Sequence, residues 1–260
     1  MIHAFFAIRT LWWREIIRFL RQRSRVFGAF SQPLVFWLLI GGGLNSSFHV
    51  PIEGGKIEYL EYFFPGTLAL VLLFTAIFAT ISVVVDRQEG FLQGVLASPA
   101  PRWAIVAGQS LGGTSLAVLQ AMLVLPFAPL AGIHLSVLSV LAFTGAAALV
   151  GFGLTNLGLL IAWRMDSTQG FHAVMNLILL PIWFLSGALF PAEGAPVWLG
   201  WLMAANPLTY GVAVMRRCLY MSSGHSGGNV PGMIPSLVVT GAFCVLSLAA
   251  AEWMAKRARA

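Results

Sequence analysis

The residues able to do chemistry are few and lie far apart. Nine acidic residues, two lysines, five histidines and two cysteines are spread over 260 positions. Neither lysine, in Gly55-Lys56-Ile57 or Ala255-Lys256-Arg257, can end a phosphate-cradling GxxxxGK(S/T) loop, so no ATPase is expected within this chain. His3, His49, His134, His172 and His225 have no second His or Cys at metal-ligand spacing, so no metal site is expected. No GxSxG elbow supports serine hydrolysis. Cys218 and Cys244 are too few for a disulfide framework. No catalytic residue is predicted. One charged group, Asp86-Arg87-Gln88-Glu89-Gly90, lies just past a long apolar run, with Arg102 closing the stretch. A short helix from Asp86 to about Leu96 would end at Ser98-Pro99, because the residue before proline avoids helical geometry. Such a helix offers a partner a mechanical contact, although on spacing alone a capped turn between two spans is the favoured reading.

The elements that would position these residues are apolar. Hydrophobic residues make up 58% of the chain and charged ones 9%, against about 25% charged in a soluble domain. Too little polar material remains to cover a globule, so an all-α integral membrane protein is expected. Apolar runs near 26–44, 62–85, 103 to Pro126 or Pro129, 135–163, 171–190 and 231–253 predict six transmembrane helices, each able to cross a ~30 Å core. The runs lack the two-residue alternation of barrel strands. Residues 1–25 read as a separate amphipathic helix lying in the interface. Arg14, Arg18, Arg21 and Arg25 fall on one face, and Phe5, Ile8, Trp12, Ile16, Phe19 and Leu20 on the other. Arg9, Arg14 and Arg18 interrupt the first apolar stretch, so no cleavable signal is expected.

Orientation follows from basic residues. Arginines of the N-terminal segment, Arg87, Arg102, Arg164, Lys256, Arg257 and Arg259 fall on one side; Lys56, Arg216 and Arg217 fall on the other. Positive charge is retained inside, which predicts cytoplasmic termini. The excess of 15 basic over 9 acidic residues is therefore spent on topology, and no nucleic-acid partner is expected. Between spans five and six, 191–230 holds two apolar pieces separated by Asn206-Pro207. Neither crosses a bilayer alone, and a re-entrant helical hairpin in the outer leaflet fits the length. The middle of every span lacks Asp, Glu, Lys and Arg, leaving polar groups such as Gln32, Thr75, Ser110, Gln120, Asn156 and Asn176. Ion-driven carriers place ionisable groups at membrane depth, which argues against a self-sufficient secondary transporter or channel. A lipid-modifying membrane enzyme lacks a paired acid and base.

Two stretches carry a family resemblance. Asp86, Arg87, Glu89, Gly90, Leu92, Leu96, Ser98, Pro99 and Arg102 resemble the cytoplasmic loop of the ABC-2 type permeases, the membrane subunits of a class of ABC exporters. Gln88 and Phe91 depart from the usual pattern, where a charged residue and Thr are frequent. Ser186-Gly187-Ala188-Leu189-Phe190-Pro191, Pro196-Val197-Trp198, Asn206-Pro207-Leu208-Thr209-Tyr210 and Arg216 resemble that family's span-five exit and outer hairpin.

The resemblance implies residues 26–260 as one six-span transmembrane domain, with a coupling loop at 86–102 and an outer hairpin at 191–230. It implies a multi-pass protein of the cell (inner) membrane, working as a permease homodimer among membrane lipids. A separate cytoplasmic ABC ATP-binding subunit would supply ATP and Mg, with no cofactor bound by this chain. Arg14, Arg18, Arg21, Asp86, Arg87, Glu89, Gly90 and Arg102 would meet that subunit. Gln32, Phe36, Trp37, Asn176 and Trp183 would line a substrate path near spans one and five, for a drug-like, lipid-like or glycan cargo moving outward. Asn206, Pro207, Tyr210 and Arg216 would build the hairpin. A small-residue stripe, Ala104, Gly108 and Gly112, fits close helix packing, within the chain more readily than between copies.

Overall fold

Continuous apolar runs become helices because only a helix satisfies every backbone N–H and C=O within its own segment. A computed structural model describes residues 2–21, 23–45, 49–52, 55–192, 195–222 and 230–257. The expected positions Glu53, Glu193, His225 and Arg259 lie outside the described residues, as do the side chains of Arg23 and Arg25. Helix α1 is Ile2–Arg21, and α2 is Arg23–Phe36, extended by a π-helical turn Trp37–Gly41 and the short turn Gly42–Leu44. Strands β1 (His49–Ile52) and β2 (Gly55–Glu58) pair antiparallel. Then come α3 (Tyr59–Ala79), α4 (Ile81–Gln88), α5 (Phe91–Ala97) and α6 (Arg102–Val124), the last extended by a tighter turn to Ala131. Helices α7 (Val137–Ala162), α8 (Thr168–Phe184), α9 (Val197–Ala205), α10 (Pro207–Leu219) and α11 (Met233–Arg257) complete the described fold.

Helix starts follow local chemistry. Ser136 and Ser139 cap α7 reciprocally, each side chain accepting from the other's backbone N–H, the two-way arrangement that satisfies orphan donors. Ser167 accepts from Gly170 N at 3.0 Å to start α8, and Asn206 accepts from Leu208 N at 3.0 Å ahead of Pro207 in α10. The single helix expected from Asp86 to Leu96 is divided. Gly90 turns the chain with φ +76, a conformation that glycine adopts without steric cost, and α5 restarts at Phe91.

Among the described residues, four helical rods are long and apolar enough to cross a membrane: Tyr59–Gln88, Arg102–Ala131, Val137–Ala162 and Met233–Arg257. The expected first span carries a shorter apolar helix, Ser31–Leu44, and the fifth is the 17 residues of α8. Helices α9 and α10 meet at 79° across Asn206. Leu138 and Leu141 on α7, and Val238, Val245 and Leu246 on α11, stand exposed on the outer faces. These faces suit lipid, and the chain is a multi-pass membrane protein. Helix α3 is the inner member, with Phe63, Phe64, Leu68, Leu72, Leu73 and Ile77 fully buried against α6 and α7.

Helix α1 is packed on α6 along the small-residue stripe. A Cβ at Gly108 would stand 3.0 Å from the Ile8 carbonyl oxygen, and one at Gly112 would stand 2.8 Å from the Glu15 Cβ. Trp12 Nε1 donates to Ser115 Oγ at 3.0 Å beside this contact. Gly112→Ala should therefore lift α1 and lower stability by about 1–3 kcal/mol, as overpacking does. Thermal unfolding in detergent micelles, read together with protease cutting of α1, checks this; wild-type behaviour in both would refute the close contact.

A candidate coupling face and transport groove

At the basic end of the bundle, Asp86 is 4% exposed in the last turn of α4. A carboxylate held that far from water needs charge-assisted partners. Arg14 and Arg18, one turn apart on α1, both donate to it, Arg18 Nη1 at 3.0 Å. The Arg14 guanidinium carbon also sits 4.2 Å from the Phe91 ring centre, so α1 is tied to both α4 and α5. Arg87 donates to the carbonyls of Trp163 at 2.8 Å and Met165 at 2.9 Å, and to the Asp166 carboxylate at 3.3 Å. Arg102 donates to the carbonyls of Ala255 and Lys256 at 2.9 and 2.8 Å, near the end of α11 where carbonyls lack intrahelical partners.

Five of the eight expected docking residues, Arg14, Arg18, Asp86, Arg87 and Arg102, are thus engaged within the chain. Arg21, Glu89 and Gly90 are exposed, and so are Phe91, Ser98 and Pro99 around α5. The long Arg side chains have acceptors within reach inside their own bundle, and those geometries hold the loop rather than leave it free.

Glu15 is a member of this cluster that the sequence reading passed over. It is 5% exposed, and its spacing of three and four from Trp12 and Leu11 places it on the apolar face of α1, which was the available signal. Burial pushes its carboxyl above the usual 4.5, while neighbouring Arg14 and a hydrogen bond with Ser82 pull it back. The folded state therefore favours the protonated acid. That contribution to stability is complete below 4.5 and is lost as pH rises through the raised folded value. Glu15→Gln should flatten this decline and stabilise the protein at neutral pH; melting temperatures of variant and wild type falling in parallel as pH rises would contradict it.

A groove of about 710 Å3 opens between α2, α3 and α8. Gln32, Phe36, Asn176 and Trp183, four of the five expected path residues, line it together. Trp37 does not. It is 1% exposed, donates to the Leu60 carbonyl at 3.1 Å and meets the Phe64 ring edge-on, so it fastens α2 to α3. The reason is register: α2 presents Gln32 and Phe36 to the groove, and the next residue turns inward. Sequence reading also missed Phe19, Phe74, Thr75, Phe78 and His172 in the lining. The His172 ring lies 5.1 Å from that of Phe78. Trp183 donates to the Gly66 carbonyl at 2.8 Å, and a Cβ on Gly66 would collide with Ala188.

At the opposite end, Arg216 is fully buried on α10. Its guanidinium carbon lies 4.0 Å above the Tyr62 ring, and Nη2 donates to the carbonyls of Tyr62 at 3.2 Å and Gly187 at 3.4 Å. Tyr62 itself donates to Gly187 O at 2.8 Å. Asn206 donates to Ile182 O at 2.6 Å, and Tyr210 to Ala204 O at 3.0 Å. Pro207 opens α10, where its missing N–H costs nothing. The expected hairpin residues thus clasp α9 and α10 to each other and to the neighbouring helices. Among the described residues no three His, Cys, Asp or Glu side chains gather as a metal site.

Apolar helices, an apolar groove and an arginine-fastened loop at one end together describe a multi-pass helical membrane protein. The chain belongs to the ABC-2 type transporter family, whose sequence profile matches residues 6–220, from α1 to just past α10. It is similar to the transport permease ycf38 of Cyanophora paradoxa, 27% identical over 83% of this chain and 76% of that protein. The multidrug ABC transporter permease YbhR of Escherichia coli (strain K12) is 26% identical over 71% of this chain and half of its own length. The daunorubicin resistance ABC transporter permease protein DrrB1 of Streptomyces coeruleorubidus is 22% identical over 84% of this chain and 76% of that one. The chain is the membrane subunit of an ABC transporter.

Proposed function

We propose that this chain is the permease half of an ATP-driven exporter, paired with a second copy of itself in the cell membrane. In this reading there are six spans, with α2 and its extension as the first and α8 as the fifth, both termini are cytoplasmic, and α9–α10 dip into the outer leaflet. A separate ATP-binding subunit holds ATP and Mg and presses on the 86–102 loop. The observation that carries the reading is the rooting of that loop. Asp86, Arg87 and Arg102 fasten it to α1, to the turn before α8 and to the end of α11, while Glu89 and much of α5 remain exposed for a partner. A push on such a base is shared among the helices. The groove's aromatic and aliphatic walls, with Gln32 and Asn176 as amides, suit a drug-like or lipid-like cargo better than a glycan, whose many hydroxyls would lose their water partners there.

Replacing Glu89 with alanine, or deleting 89–99, tests the docking claim in the co-expressed complex. The Glu89 variant, which leaves the Arg14–Phe91 contact and buried Leu92 in place, should still fold and insert, while cargo-stimulated ATP hydrolysis and transport fall together. Undiminished transport after the deletion would overturn the assignment of the loop.

A further inference from the structure

Arg87, with Gln88 beside it, ties two of the groove's walls together at the basic end. One of these walls is α3 and α4, which contribute Phe74, Thr75, Phe78 and Ile81; the other is α8, which contributes His172, Asn176 and Trp183, while α2 lines a third side with Gln32 and Phe36. Arg87 lies in the last turn of α4, directly ahead of the coupling loop. Its two Nη atoms reach the carbonyls of Trp163 and Met165, and Gln88 Nε2 donates to Asp166 O at 3.0 Å. Ser167 follows and caps α8. The loop between α7 and α8 is therefore held by the root of the coupling element.

The chemistry of the contact suits transmission. The Asp166 carboxylate is 92% exposed, so its ion pair with Arg87 adds little holding force. The two carbonyl bonds do the fastening, and they need donors fixed in a fork, which guanidinium supplies and a lysine ammonium does not. We infer that Arg87 is a positioning residue that carries displacement of the 86–102 loop to α8, so that the α3–α4 and α8 walls of the groove move together when the loop is pushed. This rests on the loop receiving the push from an ATP-binding subunit, as proposed above.

The test uses the permease–ATP-binding subunit complex in proteoliposomes, with Cys218 and Cys244 replaced by alanine and Leu177→Cys as a reporter. Leu177 is exposed on α8 and does not line the groove. Maleimide labelling is timed without nucleotide and after vanadate trapping with MgATP. With Arg87 intact the two rates should differ by about tenfold, a coupling of the usual size. Arg87→Ala should keep the subunit bound and hydrolysing ATP, yet bring the rates together and abolish transport. Arg87→Lys should recover part of the difference, and it serves alone if the alanine permease itself does not fold. A wild-type rate difference in Arg87→Ala, or in Arg87→Lys used alone, overturns the inference. So does loss of the ATP-binding subunit from an otherwise folded Arg87→Ala permease, which would make Arg87 a docking residue. If the complex with Arg87 intact shows no nucleotide-dependent difference, the proposed function itself fails, and the role of Arg87 falls with it.

Discussion

Asp86→Ala should loosen α1 from the bundle and destabilise the permease by about 2–3 kcal/mol. Breaking a fully buried ion pair by removing one partner costs about 3–5 kcal/mol. Arg14 and Arg18 retain side-chain exposures of 26% and 27%, so water recovers part of that loss and the lower figure applies. Asp86→Asn keeps an oxygen acceptor and should cost less. Thermal unfolding of the detergent-solubilised protein measures the difference, and an Asp86/Arg18 double-mutant cycle isolates the pair. The account expects non-additive losses, because both substitutions remove the same tie. Additive effects, or an Asp86→Ala protein as stable as wild type, would show that the Asp86 ion pairs do not hold α1 to the bundle.

Arg216→Ala should be the more damaging of two substitutions that look alike on paper, at about 3 kcal/mol, against about 1 kcal/mol for Arg217→Ala. Arg216 is fully buried, stacked on Tyr62 and bonded to the carbonyls of Tyr62 and Gly187. Truncation leaves a void, uncovers those carbonyls and removes a cation–π contact in a dry site. Arg217 is half-buried and, among the described residues, bonds to the chain that leads into α11, at Val230 O and Pro231 O, each at 3.1 Å. Hydrogen exchange across α10 and Gly187–Leu189 should speed up in the Arg216 variant and stay near wild type in the Arg217 variant. The reverse order would refute the assignment of Arg216 as the fastener.

The contrast between these neighbours shows where sequence reading reached its limit. Apolar length predicts the long rods because hydrocarbon imposes one solution on the backbone. Gln32, Phe36, Asn176 and Trp183 share a groove, a grouping that depends on which helices adjoin and that residue type alone does not display. The inward turn of Trp37 depended on helix register and was not legible. Asp86, Arg87 and Arg102 were legible as a group, through their charge beside an apolar run. Their partners were not, because a carbonyl acceptor such as Trp163 O or Ala255 O leaves no mark in residue type. The β1–β2 hairpin was missed because four-residue strands are too short for alternation to show. Glu15 was missed because it stands among arginines, although its spacing from Leu11 and Trp12 marked the buried face.

The most direct measurement reconstitutes the permease in liposomes with and without its ATP-binding subunit and follows cargo uptake and phosphate release under MgATP. The lone chain should neither hydrolyse ATP nor accumulate cargo, and adding the subunit should produce both activities together. Uphill movement of cargo by the permease alone, driven by an ion gradient and indifferent to nucleotide, would contradict the account at its root.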